Sequence, residues 1–533
     1  MRTTNQTLTR LLVFSCLAAL SFGGGSSVFA YDNPFANTSV TIDTDNHTAT
    51  VTNLPRNSGE RFSSTSAPTG TCTTVTVNLV GNGSADHPFE IGTVDEWNAF
   101  AYIVNNTSAM NTSCAKLTAD ITFTNSHSQP GLQSGANVKG RQGTPLYCGT
   151  FDGQGHTITL NYNEYKEHGV LAGGSLPDDN HLNGEYIDTW GGLFFYVGSA
   201  TIKNLHVAGK IRSLHIRCGT IAHNVSPISN SNPCNIINCQ STVEVISVNG
   251  SDQYGGLVGQ QSGGTINISN CFANGKLSID VSNYTKNYFN SGCVGSFDSG
   301  SLNISNSYVQ PQDIQETGTN SNSYYAWFRP FSYSSYTSPP NPTVTNSYYK
   351  LPSGFNVGHL STTTAQGTDK EAPADLLTKL NSGDNASLAE NQKPWIAHNG
   401  TVYLRTFAKY VHIDSWTYGS PNTPTIIVGN NGHGAVTYQY KVQGADDNTY
   451  ATYTPGTTVL NVGNYTLKAS VAANNGWNAW ESTMDFTVSK AAGAISAAPT
   501  AASPSYNGNS QALLATNGTA TGTFYYRVGT SGD

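Results

Sequence analysis

Carboxylates are the side chains of this sequence best suited to catalysis, and they concentrate in one stretch. Between Asn161 and Trp190 lie Glu164, Glu167, Asp178, Asp179, Glu185 and Asp188, together with His168 and His181, in a chain only 11% charged. Polysaccharide hydrolases and lyases built on β-helices use such groups in pairs, one as acid and one as base or calcium ligand. That chemistry needs two carboxyls fixed roughly 5–9.5 Å apart on rigid backbone. The stretch contains Gly173-Gly174 and no alternating strand pattern, so it reads first as a solvated insertion. Glu164, Glu167, Asp178, Asp179 and Asp188 stay as the candidate catalytic set of the alternative reading. Asp152, in GTFDGQGHTI, is accounted for by an Asp-Gly turn.

Aromatic residues suggest a second kind of chemistry. Tyr324, Tyr325 and Trp327, with Tyr333 and Tyr336 close behind, form the densest aromatic run. Rings on a flat β-surface can stack on sugar rings while their polar edges meet hydroxyls; the same rings could equally fill an irregular core. None of the thirteen histidines sits in an H-E-x-x-H frame. A nucleophile elbow and a Walker loop are also missing from the sequence. The Gly-rich segment Gly429–Gly434 lies between two strand patterns and reads as a hairpin loop. No C-x-x-C pair suggests a metal, and no cofactor is implied.

The elements that would position these residues are announced by a repeat. A phrase beginning GGLFFYVGSATIKNLHVAGKI at Gly191 returns as CGTIAHN…CNIINCQSTVEV, GGLVGQQSGGTINISNCFANGKL and SGCVGSFDSGSLNISNSYVQ, and in degenerate form as FRPFSYSSY…PTVTNSYYK. Its steadiest feature is a β-branched residue, one spacer, then Asn, at Asn204, Asn238, Asn270, Asn306 and Asn346. Recurrence every 32–40 residues is a solenoid signature, because one unit cannot bury its own apolar face and must stack on its neighbours. Alternation such as Thr-Ile-Asn-Ile-Ser has the period of strands. The expectation is an all-β chain built around a right-handed parallel β-helix. The recurrent Asn residues should form a coil-to-coil amide ladder. Cys239 and Cys271, each directly after a ladder Asn, should then stack about 4.8 Å apart, as a disulfide or as a reduced pair.

With these residues in view, the repeat resembles the GLUG motif of bacterial surface and secreted proteins: GGLVG, a strand ending in I-x-N, then G-x-[LIV]. PFEIGTVDEWNAFAYIVNN, KLTADITF and GTFDGQGHTITL resemble the opening of such β-helices, and the likeness covers about residues 85–410. It implies an extracellular β-solenoid, often adhesin-like, and supplies no catalytic residues. Further on, WTYGSPNTP, AVTYQYKV, VGNYTLKASVA and MDFTVSKA resemble bacterial Ig-like modules. Tyr418 and Tyr506, and Val436-Thr437-Tyr438 and Phe524-Tyr525-Tyr526, match at one offset of 88 residues.

The expected organisation follows. Residues 1–30 read as a signal peptide: Arg2 and Arg10, an apolar run from Leu11 to Phe22, and Val28-Phe29-Ala30 before Tyr31. Residues 31–84 are an irregular β-rich lead. The solenoid occupies 85–410, with a capping helix at 94–104 introduced by Thr93 and Glu96, and a closing cap at 370–408. A β-sandwich fills 411–490. A second is cut short at 491–533, which suggests either a fragment or a defective last module. Eight cysteines beyond Cys16 suit an oxidising compartment. A net charge of -8 without a basic cluster excludes a nucleic-acid surface, and no later run is long enough to span a membrane. The expectation is a secreted or surface-displayed bacterial protein, non-catalytic and adhesin-like, that meets glycan or extracellular protein ligands. The alternatives are a β-helix carbohydrate enzyme and a structural stalk.

Overall fold

The structure, a computed structural model, describes residues 37–56, 73–123, 146–161, 192–213, 217–227, 229–247, 253–280, 288–317, 326–332, 342–353, 370–429, 433–505 and 507–521. The expected signal peptide and the acidic insertion, with Glu164, Glu167, Asp178, Asp179 and Asp188, lie outside the described residues.

The centre is a parallel β-solenoid of about four turns. Its most regular coil runs through five strands: Gln253–Gly255, Val258–Gln261, Thr265–Ser269, Phe272–Ala273 and Lys276–Asp280. Each pairs in parallel with its counterpart one coil away, which gives long sheets of eight and ten strands and two of four. Ile202, Ile236, Ile268 and Ile304 occupy successive rungs and point inward, each at most 1% exposed. Burying such a side chain contributes about 1.5–3 kcal/mol, and no single coil could shelter it alone.

The glycines of the repeated phrase have a packing reason. Between strands Gln253–Gly255 and Val258–Gln261 the chain folds back on itself. A methyl group on Gly255 would sit 1.7 Å from the Val258 carbonyl oxygen, and one on Gly259 2.7 Å from that of His223. Two backbones meet where there is no room for a side chain.

The recurrent Asn residues have a conformational reason. Asn204, Asn238, Asn270, Asn306 and Asn346 all have φ between 48° and 52°, the left-handed region. Asn enters it more readily than other residues bearing a Cβ, and it turns the chain between the eight- and ten-stranded sheets. Their backbone N–H groups donate to the next coil: Asn204 to Ile237, Asn238 to Ser269, Asn270 to Ser305 and Asn306 to Thr345.

The first coil is closed by helix Val94–Asn106. Thr93 Oγ1 accepts from the Glu96 N–H, while the Glu96 carboxylate accepts from Gly92, one residue before the position a strict capping box would use. Trp97, fully buried, meets the rings of Phe100, Phe123, Phe151 and Phe194 edge-on. The three-stranded antiparallel sheet Ser39–Asp43, Thr48–Arg56 and Thr73–Val80 joins the same core.

Residues 370–408, expected to close the far end, do something different. Apart from a bridge between Tyr349 and Glu371, they form a strap that runs back along the side of the coils. Trp395 and Leu380 pack on Phe272 and Tyr308, and the hairpin Trp395–His398/Thr401–Leu404 turns at Asn399 and Gly400, both at positive φ. The expected hairpin therefore forms, but along the flank.

Beyond the strap, a two-stranded and a five-stranded sheet enclose a core containing Trp416, Leu467, Phe486 and Val488. Strand Thr425–Val428 pairs with Lys409–His412, whereas Val436–Val442 pairs with Gly463–Val471. The strands flanking Gly429 and Gly434 thus pair in different sheets and not with each other, so the expected hairpin does not form; residues 430–432 lie outside the described residues. Residues 491–521 contribute two short two-stranded sheets, largely exposed.

Candidate functional site

The longest regular surface is the outward side of the eight-stranded sheet. Register places Thr150, Thr201, Asn235, Asn267, Asn303 and Thr343 in one row along the solenoid. Within it the amides chain together: Asn267 Nδ2 donates to Asn235 Oδ1 and Asn303 Nδ2 to Asn267 Oδ1, each at 2.9 Å. The bonds run in one direction, and each amide retains a second N–H or lone pair for a ligand. Ser269, Ser305 and Thr345 extend an adjacent row. Strands Cys234–Ile237, Thr265–Ser269, Ser301–Ser305 and Thr343–Thr345 carry no charged side chain. Charges appear only towards the first coils, already paired: Lys116 with Glu90 at 3.0 Å and Lys203 with Asp152 at 3.2 Å.

The residues singled out in the sequence are distributed differently. Asn238 Nδ2 donates to Asn204 Oδ1 at 2.8 Å, and Asn204 Nδ2 to Asp152 Oδ1 at 3.0 Å, so the expected side-chain ladder exists over the first coils. From Asn238 onward the side chains turn to the strap, Asn238 Nδ2 also donating to Thr406 Oγ1 at 2.6 Å. Asn270 exchanges bonds with Asn385, and Asn306 Nδ2 donates to the carbonyls of Leu380 and Ser382 at 2.8 Å. These asparagines lie beneath the strap, with Asn306 only 4% exposed, so the row they form is structural.

Cys239 and Cys271 do occupy neighbouring rungs. Both are free thiols, buried, with Cys239 Sγ donating to Ile237 O and Cys271 Sγ to Ser269 O at 3.3 Å each. Burial, and then the neighbouring Cys271 thiol, push the Cys239 thiol well up, and burial pushes that of Cys234 to about 12. The stack continues beyond Cys271 as Ser307 and Ser347, whose hydroxyls accept from the Cys271 and Ser307 N–H groups.

Of the aromatic candidates, Tyr324, Tyr325, Tyr333 and Tyr336 lie outside the described residues. Trp327 sits in strand Ala326–Arg329, opposite Phe289. Phe328 and Phe331 from the same run are buried.

Several carboxylates on the described coils are tied to structural partners. Asp152 also accepts from the Gln154 N–H, Glu244 pairs with Lys210, and Asp298 accepts from Ser296 and Gln260. Among the described residues no group of three or more His, Cys, Asp or Glu could hold a metal ion, and no helix is long and apolar enough to cross a membrane. An open cleft of about 340 Å³ lies beside Asn274, Gln310, Gln312 and Lys350 on another part of the coil. It contains no carboxylate pair.

The Asn235–Asn267–Asn303 row escaped the sequence reading. Its signal is present in NII, TINIS and SLNIS, where an Asn stands three places before the recurrent one. Alternation places these Asn residues on the outward side of their strands, but nothing in the sequence says which outward row stays uncovered.

No protein-family model matches the chain, and no curated protein matches it. Among solved structures, the chain is similar to a Bacteroides ovatus protein described as a "putative immunoglobulin A1 protease", at 16% identity and a TM-score of 0.35, over 61% of this chain and 94% of that one. A likeness at that level carries no argument about activity.

Proposed function

We propose that this chain is an exported, non-catalytic, adhesin-like protein of the bacterial surface or its surroundings. Its solenoid would bind an extended, hydroxyl-rich glycan along the outward side of the eight-stranded sheet. The observation that carries this reading is the aligned row Thr150, Thr201, Asn235, Asn267, Asn303 and Thr343. Amides and hydroxyls repeating at the strand spacing of about 4.8 Å offer one weak contact per coil. Contacts that are weak singly become strong when linked, gaining a factor of about 10²–10⁴ in avidity. Lack of charge over the later coils suits a neutral polymer, since no ion has to be desolvated. The GLUG-like phrasing and the signal-like first thirty residues support export, and the Ig-like phrases after residue 410 support a surface protein carrying accessory modules.

The test is a glycan array probed with the full chain, followed by titration of the best glycan with Asn267→Glu and Asn303→Glu. Both positions are outward and half-buried, so the fold should tolerate the charge. Binding should fall at least tenfold in each variant with far-UV circular dichroism unchanged. Undiminished binding by both variants would remove the face from consideration. Release of reducing ends from a bound polysaccharide would instead favour the carbohydrate-enzyme alternative.

A further inference from the structure

The strap carries the C-terminal module back beside the first coils, and there the two halves touch. We propose that the turn Asn474–Trp477 and the solenoid residues Asp120 and His156 form an acid-released clamp, whose opening lets the module swing away and lengthens the molecule. This inference stands on the contact alone and is independent of the glycan reading.

The contact is built around one buried carboxylate. The Asp120 side chain is 1% exposed. Its Oδ1 accepts from the Thr157 N–H at 2.8 Å and lies 3.2 Å from His156 Nδ1, while its Oδ2 accepts from the Asn478 N–H at 2.9 Å. The Asp120 N–H in turn donates to Gly476 O at 2.6 Å, so the two segments exchange bonds in both directions. The Trp477 ring lies on His156, centroids 3.6 Å apart and planes at 18°, with Lys409 Nζ 5.8 Å from the same ring. Gly476 has φ +82°, and a Cβ there would come 2.6 Å from Thr118 O. The turn therefore fits its seat only with glycine at that position.

The rest of the turn is exposed, and only Trp477 is half-buried. A contact this small and polar depends on its charged bonds, and movement between such units is the default once those bonds weaken. The pivot is also visible. Gly429 N–H donates to Ala408 O at 3.0 Å, and Gly429 lies against the backbone of Arg405 and Thr406, which keeps the module's root on the strap.

The titratable groups facing the contact are Asp120, His156, His206 and Lys409. Burial pushes the Asp120 carboxyl up. The bonds from His156, Asn478 and Thr157, with the Lys409 charge, outweigh that and hold it below the usual carboxylate range. A carboxylate lowered in this way contributes fully above its ordinary value, and the contribution is lost as pH falls through the lowered one. His206 lies beside it, its Nδ1 3.1 Å from Thr157 Oγ1. Burial and then Lys409 push its imidazole down to about 4, so it is neutral at pH 7. Acid charges His206 between Lys409, which repels it, and Asp120, which attracts it; at lower pH the Asp120 charge is itself removed, and with it the charged bonds that hold the turn.

The experiment is small-angle scattering of the full chain at pH 7 and pH 2, with Asp120→Ala and Trp477→Ala beside the wild type and circular dichroism on each sample. The wild type should be compact at pH 7 and gain length at pH 2. Both variants should already be extended at pH 7 and change little with acid. Trp477 lies on the module's surface, so that variant keeps the test open if Asp120→Ala fails to fold. Variants as compact as the wild type at pH 7 would overturn the proposal. So would a wild type unchanged by acid, or acid expansion equal in all three proteins.

Discussion

Replacing Trp97 by Ala tests whether the helix is the plug that closes the solenoid. Trp97 is fully buried and meets four rings edge-on: Phe100 on its own helix at 6.0 Å, and Phe123, Phe151 and Phe194 on three strands at 5.8, 5.6 and 5.8 Å. Truncating a buried Trp costs about 3–5 kcal/mol in lost transfer energy and residual cavity. Edge-to-face pairs add about 0.5–1.5 kcal/mol each beyond their area, although pairs sharing one ring do not sum. The expected loss is therefore about 4–6 kcal/mol for Trp97→Ala, and about 1–2 kcal/mol for Trp97→Phe, which keeps a ring in place. Urea unfolding followed by far-UV circular dichroism reads both; at a slope of about 3 kcal/mol/M the Ala midpoint falls by roughly 1.3–2 M. Hydrogen exchange adds a spatial readout, since strands Phe89–Ile91 and Ala115–Leu117 should lose protection first. An Ala variant within about 1 kcal/mol of wild type, with those strands still protected, would mean that the helix merely decorates the end and the reasoning fails.

Three further outcomes are expected. Gly255→Ala should destabilise by about 3 kcal/mol or more, because its methyl group meets the Val258 carbonyl at 1.7 Å; Gly400→Ala, with nothing within 4 Å but φ +75°, should cost only about 1–2 kcal/mol, and thermal unfolding of the two compares them. Cys234, Cys239 and Cys271 should resist iodoacetamide at pH 8 in the native protein and react once it unfolds, with peptide mass mapping as the readout; rapid native modification would contradict their burial. The His206 imidazole, lowered to about 4, binds fewer protons folded than unfolded, so its contribution is complete above about pH 6.5 and declines between there and pH 4. Allowing for its partly accessible edge, that decline is about 2–3 kcal/mol, and His206→Asn should flatten the pH dependence of urea midpoints across this range.

Much of the solenoid was legible because its constraints are local and repeated. An inward Ile every other position, a glycine where backbones meet and an Asn at each corner recur with every coil, so the period survives poor copies. The role of the corner Asn was only half legible. The sequence suggests side-chain bonding from coil to coil, which holds for Asn238 and Asn204. The constraint common to all five is a left-handed backbone, and Asn270 and Asn306 give their side chains to the strap. Cys239 and Cys271 were placed correctly on adjacent rungs, while their thiol state followed from the tertiary surroundings.

Composition and periodicity by themselves determined an all-β chain with stacked parallel coils, the helix at the first of them and a change of module near residue 410. These are properties of short segments repeated in register, and each segment carries its own instruction. Only the tertiary structure decided that residues 370–408 lie along the flank, that this covers one Asn row and leaves another open, and that Trp477 comes to rest on His156. Those outcomes depend on partners 74 to 358 residues apart in the chain, and over such separations no local pattern specifies which surface meets which.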